Sequence, residues 1–241
     1  LVVVLVAAAA VTLASLPDDD LAAVDDLVLL VHDQTGVIST VAADGSGRVE
    51  LSGAAEPDRR HVQPVWSPDG SEVVWADISN SDSILHVTAA DGSRHRSAPT
   101  PVGPFFLFWS PAGDRLVGMG SSGFGIDLFL ADVSGDGITV RTIDSGQPYY
   151  VDWSPDGRSL VVHVGAGVLA ELDPADGSRT EIAQPGAFQA PQWLDDGRRV
   201  FARLGTPRDA LVVESDGEFD PLVDFEGFIT FDVAGSRIAY A

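Results

Sequence analysis

Cysteine is absent from this 241-residue chain, so no disulfide staples it and no thiolate serves as nucleophile or metal ligand. Lysine is absent too. All 14 basic residues other than histidine are arginine, against 36 Asp and Glu, for a formal net charge of −22. Such a surface repels phosphate backbones and anionic headgroups, which excludes nucleic acid as an expected partner. Many of the aspartates stand in Asp-Gly turns, where they serve backbone geometry; adaptation to a salt-rich habitat is the second reading of the acidity. Hydrophobic residues make up 45% of the chain, enough for a packed core and too many for global disorder.

Long apolar runs are scarce, and the one present opens the sequence. Residues 1–16, LVVVLVAAAAVTLASL, carry no charge and fit a secretory signal segment, with Thr12-Leu13-Ala14 approximating a small-x-small cleavage pattern. An uncleaved N-terminal membrane anchor is the alternative, and the segment is then the only membrane contact expected. An acidic linker, 17–26, follows from Pro17-Asp18-Asp19-Asp20. No cysteine follows Ala14 to accept a lipid, and no initiating Met or positively charged stretch precedes the run, which places its start inside a longer reading frame. The expected location is exported, periplasmic or extracellular, with or without the anchor.

Residues 27–241 repeat. Pro64-Val-Trp66-Ser-Pro-Asp-Gly70, Phe108-Trp109-Ser-Pro-Ala-Gly113, Asp152-Trp153-Ser-Pro-Asp-Gly157, Gln192-Trp193-Leu-Asp-Asp-Gly197 and Thr230-Phe231-Asp-Val-Ala-Gly235 each place an aromatic four residues before a glycine. The aromatics are 43, 44, 40 and 38 residues apart, the length of a four-stranded propeller blade. Ser-Pro-Asp-Gly specifies a type I turn: Pro presets φ, Asp bonds its own backbone, and Gly takes the last position. Gly70, Gly113, Gly157, Gly197 and Gly235 are therefore read as structural turn glycines. A strand ends at each aromatic, and a short β-forming segment such as Glu72-Val-Val-Trp75 or Ser159-Leu-Val-Val162 begins after each glycine.

A second signal recurs within each unit. Asp44-Gly45, Asp91-Gly92, Asp136-Gly137, Asp176-Gly177 and Asp216-Gly217 read as hairpin turns of the type that needs positive φ. Each unit is thus four strands in order a, b, c, d, with a variable loop between b and c. The expected fold is all-β: a β-propeller of four-stranded antiparallel blades, four of them complete, with partial blades at both termini. Residues 27–52 supply b, c and d without a, and residues 228–241 supply a and b. That pattern predicts a truncated chain whose full ring has six or more blades.

The W-S-P-D-G turn followed by a strand and a D-G-S hairpin resembles the TolB-like propeller repeat, a relative of the WD40-type blades. The resemblance covers about residues 27–241, although units four and five depart from it with Leu194-Asp195 and Asp232-Val233 in place of Ser-Pro. It implies envelope protein partners and a recognition surface. Propellers of this kind also precede the catalytic domain of prolyl-oligopeptidase-like serine peptidases. A G-x-S-x-G elbow is absent here, so such a domain would lie beyond residue 241.

Motifs that carry chemistry are weak. Gly118-Met-Gly120-Ser-Ser-Gly123 matches a dinucleotide pattern but leads into Gly125-Ile-Asp-Leu-Phe-Leu130, which alternates as a strand, so it reads as a flexible b–c loop. Asp132-Val-Ser-Gly-Asp136-Gly137 resembles the start of a calcium loop, yet Ile143 stands where a bidentate Glu is required. His32, His61, His86, His95 and His163 show no ligand spacing, and neither cofactor nor metal is expected.

By elimination the expected working surface is the variable-loop face and central funnel. Aromatic residues with an isolated Arg compose a recognition patch: Phe105, Phe124, Tyr149, Phe188 and Arg208 are the candidate binding residues. The competing reading has Phe105, Tyr149 and Phe188 lead into the a strands and pack between blades. The functional expectation is an exported, non-catalytic scaffold that binds a protein or peptide. The alternatives are a propeller lyase or hydrolase acting on a saccharide or lactone, and the propeller of a serine peptidase.

Overall fold

A computed structural model of the chain describes residues 28–241 apart from 124, 148, 166, 184–189, 206–207, 228 and 236. The apolar run 1–16, the linker 17–26 and the candidates Phe124 and Phe188 lie outside the described residues. All regular elements among the described residues are strands. β1 (Val28–His32), β2 (Ile38–Ala42) and β3 (Val49–Glu50) form a three-stranded sheet. β4 (Arg60–Trp66), β5 (Glu72–Ile78), β6 (Ser83–Ala89) and β7 (His95–Pro99) form a four-stranded sheet, as do β8 (Pro104–Trp109), β9 (Arg115–Ser122), β10 (Gly125–Asp132) and β11 (Thr139–Gly146). The next two are β12 (Tyr149–Trp153), β13 (Leu160–Val164), β14 (Val168–Leu172) and β15 (Arg179–Ala183), then β16 (Gln192–Trp193), β17 (Arg199–Arg203), β18 (Ala210–Ser215) and β19 (Glu218–Asp224). β20 (Phe231–Ala234) and β21 (Arg237–Tyr240) form a two-stranded sheet. Every sheet keeps chain order, so each is a meander, and the repeat phase read from the sequence matches the sheet boundaries.

The a-to-b turns show why. At Ser67–Gly70 the amide of Gly70 donates to the carbonyl of Ser67 (3.0 Å), and the Asp69 carboxylate accepts from Ser67 Oγ (2.7 Å) and Ser71 N (3.0 Å). Ser67 Oγ in turn accepts from Glu72 N at 2.9 Å. These bonds, the Ser67 hydroxyl foremost, hold Asp69 down to about 2. Ser154–Gly157 repeats the pattern, with Gly157 N to Ser154 O at 2.8 Å and Ser154 Oγ to Asp156 at 2.7 Å. Leu194–Gly197 keeps the Gly197 N to Leu194 O bond (2.9 Å) and the Asp196 bond to Arg198 N (3.1 Å), so Asp and Gly suffice without Ser-Pro. The fifth turn is tighter, with Ala234 paired to Arg237. All five turn glycines have positive φ, between 61° and 85°.

Two sequence expectations are corrected here. Gly118–Ser122 is part of β9 and not a flexible b–c loop. Gly120 permits this because a Cβ there would lie 2.5 Å from the carbonyl oxygen of Gly103, so glycine marks a close backbone approach. The Asp-Gly pairs differ as well. Positive φ falls on glycine alone at 45, 92 and 177 and on both residues at Asp216-Gly217, while Gly137 does not adopt it. Gly45 N to Ala42 O (2.9 Å) and Ala42 N to Ser46 O (3.0 Å) show a turn in which only the glycine enters the left-handed region.

The chain divides into two compact units, each described by itself. The first takes the described residues up to Trp109 together with Gly113–Gly120 and Ala131–Arg141; the second takes Ser110–Ala112, Ser121–Leu130 and Thr142–Ala241. In the first, Ile38 of β2 and Leu51, just after β3, pack on Val73 and Trp75 of β5, with Leu30, Val49 and Trp66 around them. Arg96, buried on β7, pairs with Glu72 (2.5 Å) and donates to the carbonyls of Val133 and Gly135. In the second, Val161 and Leu169 pack on Phe201 and Val212, and Leu194, Val200, Leu211 and Ile229 form a further layer with Phe231, Val233 and Ile238. β13 is buried at every position, as a strand covered on both faces must be. Arg199 of β17 stands over the Trp193 ring (4.8 Å) and pairs with Glu214 (2.7 Å), whose side chain is 2% exposed.

Candidate functional site

The starts of the first strands carry the candidate aromatics. In β8 the register slips between Pro104 and Phe106, and the extra residue, Phe105, is 46% exposed. A bulge leaves one residue outside the ladder and re-aims its side chain, here toward solvent. In β12 the ladder runs unbroken, Tyr149 opposite Val164 and Tyr150 opposite His163, so successive rings point to opposite faces. Tyr149 is buried. Its hydroxyl donates to Asp144 Oδ2 at 2.5 Å, and Arg179 pairs with the same carboxylate. Burial, reinforced by the Asp144 charge, pushes the Tyr149 phenol well above its ordinary value. Tyr150, which the sequence reading did not single out, is 40% exposed and stacks on the His163 ring at 5.6 Å. Period-two alternation across Tyr149-Tyr150 was the signal that one of the pair faces outward.

Arg208 is exposed and pairs with Asp224 at 2.9 Å, while its neighbour Asp209 accepts from Gly205 N at 2.8 Å. Tyr149 and Arg208 thus hold different partners.

Two polar groupings lie elsewhere, one in each unit. In the second unit, Asp152 and Gln192 stand one repeat apart on β12 and β16, first strands that run side by side. Asp152 Oδ2 accepts from Trp193 N at 2.8 Å and so ties one first strand to the next. Gln192 Nε2 reaches Asp232 Oδ1 on β20 at 3.4 Å. Burial, with the Asp232 charge adding to it, raises the Asp152 carboxyl to about 6. A carboxyl titrating there is in the range used for proton transfer, although its bond to Trp193 N gives it a structural task as well.

In the first unit, four rings cross one face of the β4–β7 sheet. Trp75 stacks on His86 (5.2 Å, 10° between planes), His86 lies end to end with His95 (centroids 5.2 Å apart), and His61 meets Trp75 edge-on at 6.5 Å. His61 Nδ1 bonds the carbonyl of Gly36 at 2.7 Å, and His86 Nδ1 lies 2.9 Å from His95 Nε2. Burial pulls His86 down to about 4, with His95 adding to the shift. Arg59 binds Asp77 (2.8 Å) and Asp82 (2.7 Å) at the edge of this row. No cluster of three or more His, Cys, Asp or Glu placed to hold a metal ion occurs among the described residues. The candidate calcium loop is a turn in which Asp132 Oδ1 accepts from Ser134 N at 3.0 Å and from Ser134 Oγ at 2.6 Å.

No family model and no curated protein matches the chain. Solved structures do. TolB from Acinetobacter baumannii superposes with a TM-score of 0.50 at 13% identity, covering 82% of this chain and 52% of that one. Puromycin hydrolase gives 0.60 at 22% identity, covering 88% of this chain and 39% of that one. An oligogalacturonate lyase in complex with manganese gives 0.56 at 14%, over 84% and 63%. The chain spans about half the length of the TolB structure and about two fifths of the hydrolase. Identities this low carry the fold alone, and the sheets described above are accordingly blades: the chain has a TolB-like β-propeller fold.

Proposed function

We propose that this chain is an exported, non-catalytic scaffold that binds a protein or peptide at the starts of its first strands and the variable loops beside them. The observation that carries the reading is the outward presentation of a large ring at an a-strand start in two different repeats, Phe105 by a bulge and Tyr150 by alternation. Exposed aromatics of low conformational entropy are the residues that recognition surfaces favour. The acidity of the chain favours a basic or neutral partner over an anionic one. Phe124, Phe188 and Arg208 are proposed as further binding positions on their sequence pattern. A photoreactive residue at position 105 or 150 tests the reading in the native envelope. Discrete adducts from those positions, absent from a turn position such as Ser93, are expected; equal labelling from all three would refute it.

The likeness to puromycin hydrolase over 88% of this chain, and to a prolyl endopeptidase over 85%, supports a second reading, the propeller of a larger peptidase. The reading frame past Ala241 decides between them. A G-x-S-x-G with downstream Asp and His establishes the peptidase, and a stop codon after one or two further blades removes it.

A further inference from the structure

An Asp-Gly pair can rearrange through its own backbone, because glycine presents no Cβ to hinder attack of its amide nitrogen on the preceding side-chain carboxyl. The chain has eight such pairs. In seven of them the fold restrains the nucleophile: the glycine has positive φ and its amide donates a hydrogen bond. The acceptor is a backbone carbonyl three or four residues back in six, as for Gly92 to Ala89 O and Gly177 to Asp173 O (both 2.8 Å), and is Glu214 Oε1 for Gly217 (2.8 Å). Six of the seven aspartates are held as well, each carboxylate accepting from the amide two residues on, as Asp91 does from Ser93 N at 2.9 Å.

Asp136-Gly137 lacks all three restraints. Gly137 does not have positive φ, and its exposed amide has no hydrogen bond among the described residues. The Asp136 side chain is fully exposed, and its carboxylate pairs with Arg94 at 3.1 Å, itself an exposed side chain. Immediately upstream the backbone is pinned: buried Arg96 donates to the carbonyls of Val133 and Gly135, and Arg94 to that of Gly135 as well. Freedom therefore begins at Asp136. We propose that Asp136-Gly137 is a site of spontaneous modification, where the folded protein converts aspartate to isoaspartate. The Gly137 nitrogen attacks Cγ of the protonated Asp136 carboxyl. A C–N bond forms, the Cγ–OH bond breaks, and the amide proton leaves with the hydroxyl as water, closing a five-membered succinimide. Water then opens the ring, and opening at the backbone carbonyl routes the chain through the side chain. One water leaves and one enters, with no change of oxidation state. The product adds a methylene to the backbone between β10 and β11 and moves the carboxylate that Arg94 holds.

Prolonged incubation of the full folded chain at neutral pH, followed by proteolysis and mass spectrometry with electron-transfer fragmentation to tell isoaspartate from aspartate, tests the proposal. Isoaspartate should accumulate at position 136 about fivefold or more faster than at any other Asp-Gly pair, the factor that one amide hydrogen bond supplies. In denaturant the eight pairs should react at similar rates, since the fold sets the difference. Gly137→Ala should keep the melting temperature, because a Cβ there meets nothing within 4 Å, and should remove most of the isoaspartate. Isoaspartate absent from the folded chain, spread evenly over the eight pairs or concentrated at another would overturn the assignment. So would an undiminished yield in Gly137→Ala, or a preference for position 136 that persists in denaturant.

Discussion

The two units place their polar chemistry differently. In the first, it lies on a sheet face as a row of rings, His61, Trp75, His86 and His95, with Arg96 braced on the partly buried Glu72. In the second, it follows the first strands as Asp152, Gln192 and Asp232, and the charge strut is Arg199 on the fully enclosed Glu214. Both units carry a-to-b turns with a positive-φ glycine and apolar layers between strands. The repeat therefore dictates the turn glycines and the core, and leaves the polar positions free to differ from blade to blade.

The struts give the largest contrast. Arg199→Leu removes the cation from Glu214, whose side chain is 2% exposed and keeps only the Gly217 N bond, and should cost about 3–5 kcal/mol of unfolding free energy in a denaturant titration. Arg96→Leu leaves Glu72, at 19% exposure, to recruit water, and should cost less, about 2 kcal/mol. Equal losses would erase the distinction between the units.

Asp152 supplies the pH-dependent contrast. Its folded-state value of about 6 lies above the ordinary carboxyl value, so folding favours the protonated form. Its contribution to stability is complete below about pH 4 and is lost as the pH rises through about 6. Asp152→Asn keeps an acceptor for Trp193 N and removes the buried charge. It should raise stability at pH 7.5 by about 1–2 kcal/mol and flatten the stability profile between pH 4 and 6. A loss of stability at pH 7.5 would show that the ionised carboxylate is needed.

Gly157 and Gly197 test the turns. Both have positive φ, but a Cβ on Gly157 would also meet Pro111 Cδ at 3.6 Å, while one on Gly197 meets nothing within 4 Å. Gly157→Val should lower stability by ~1 kcal/mol or more. Gly197→Val should lose somewhat less, and an unchanged melting temperature for either would contradict the turn assignment.

How much of this was legible in the sequence follows from distance along the chain. The aromatic-to-glycine spacing and the Asp-Gly pairs are local, and they located the blades even at Leu194, where burial replaces the serine hydroxyl. Gly118–Gly123 misled because glycine signals flexibility and close approach alike, and only the position of Gly103 distinguishes them. The His86–His95 pairing depends on the register of β6 against β7, which the eight intervening positions do not state. Asp152 and Trp193 are 41 residues apart, about one repeat; that spacing was a usable signal, because equivalent positions of successive repeats fall on adjacent first strands. Tyr149 and Tyr150 are told apart by alternation once the strand is known.

The smallest expected effect on stability belongs to the proposed surface. Phe105→Ala with Tyr150→Ala removes two rings that are 46% and 40% exposed, so unfolding free energy should change by no more than about 0.5 kcal/mol each. Co-purification of the partner with the double variant, compared with wild type from the native host at matched melting temperature, is the direct test of the binding role. The account predicts loss of the co-purifying partner with the fold intact; an undiminished yield would contradict it.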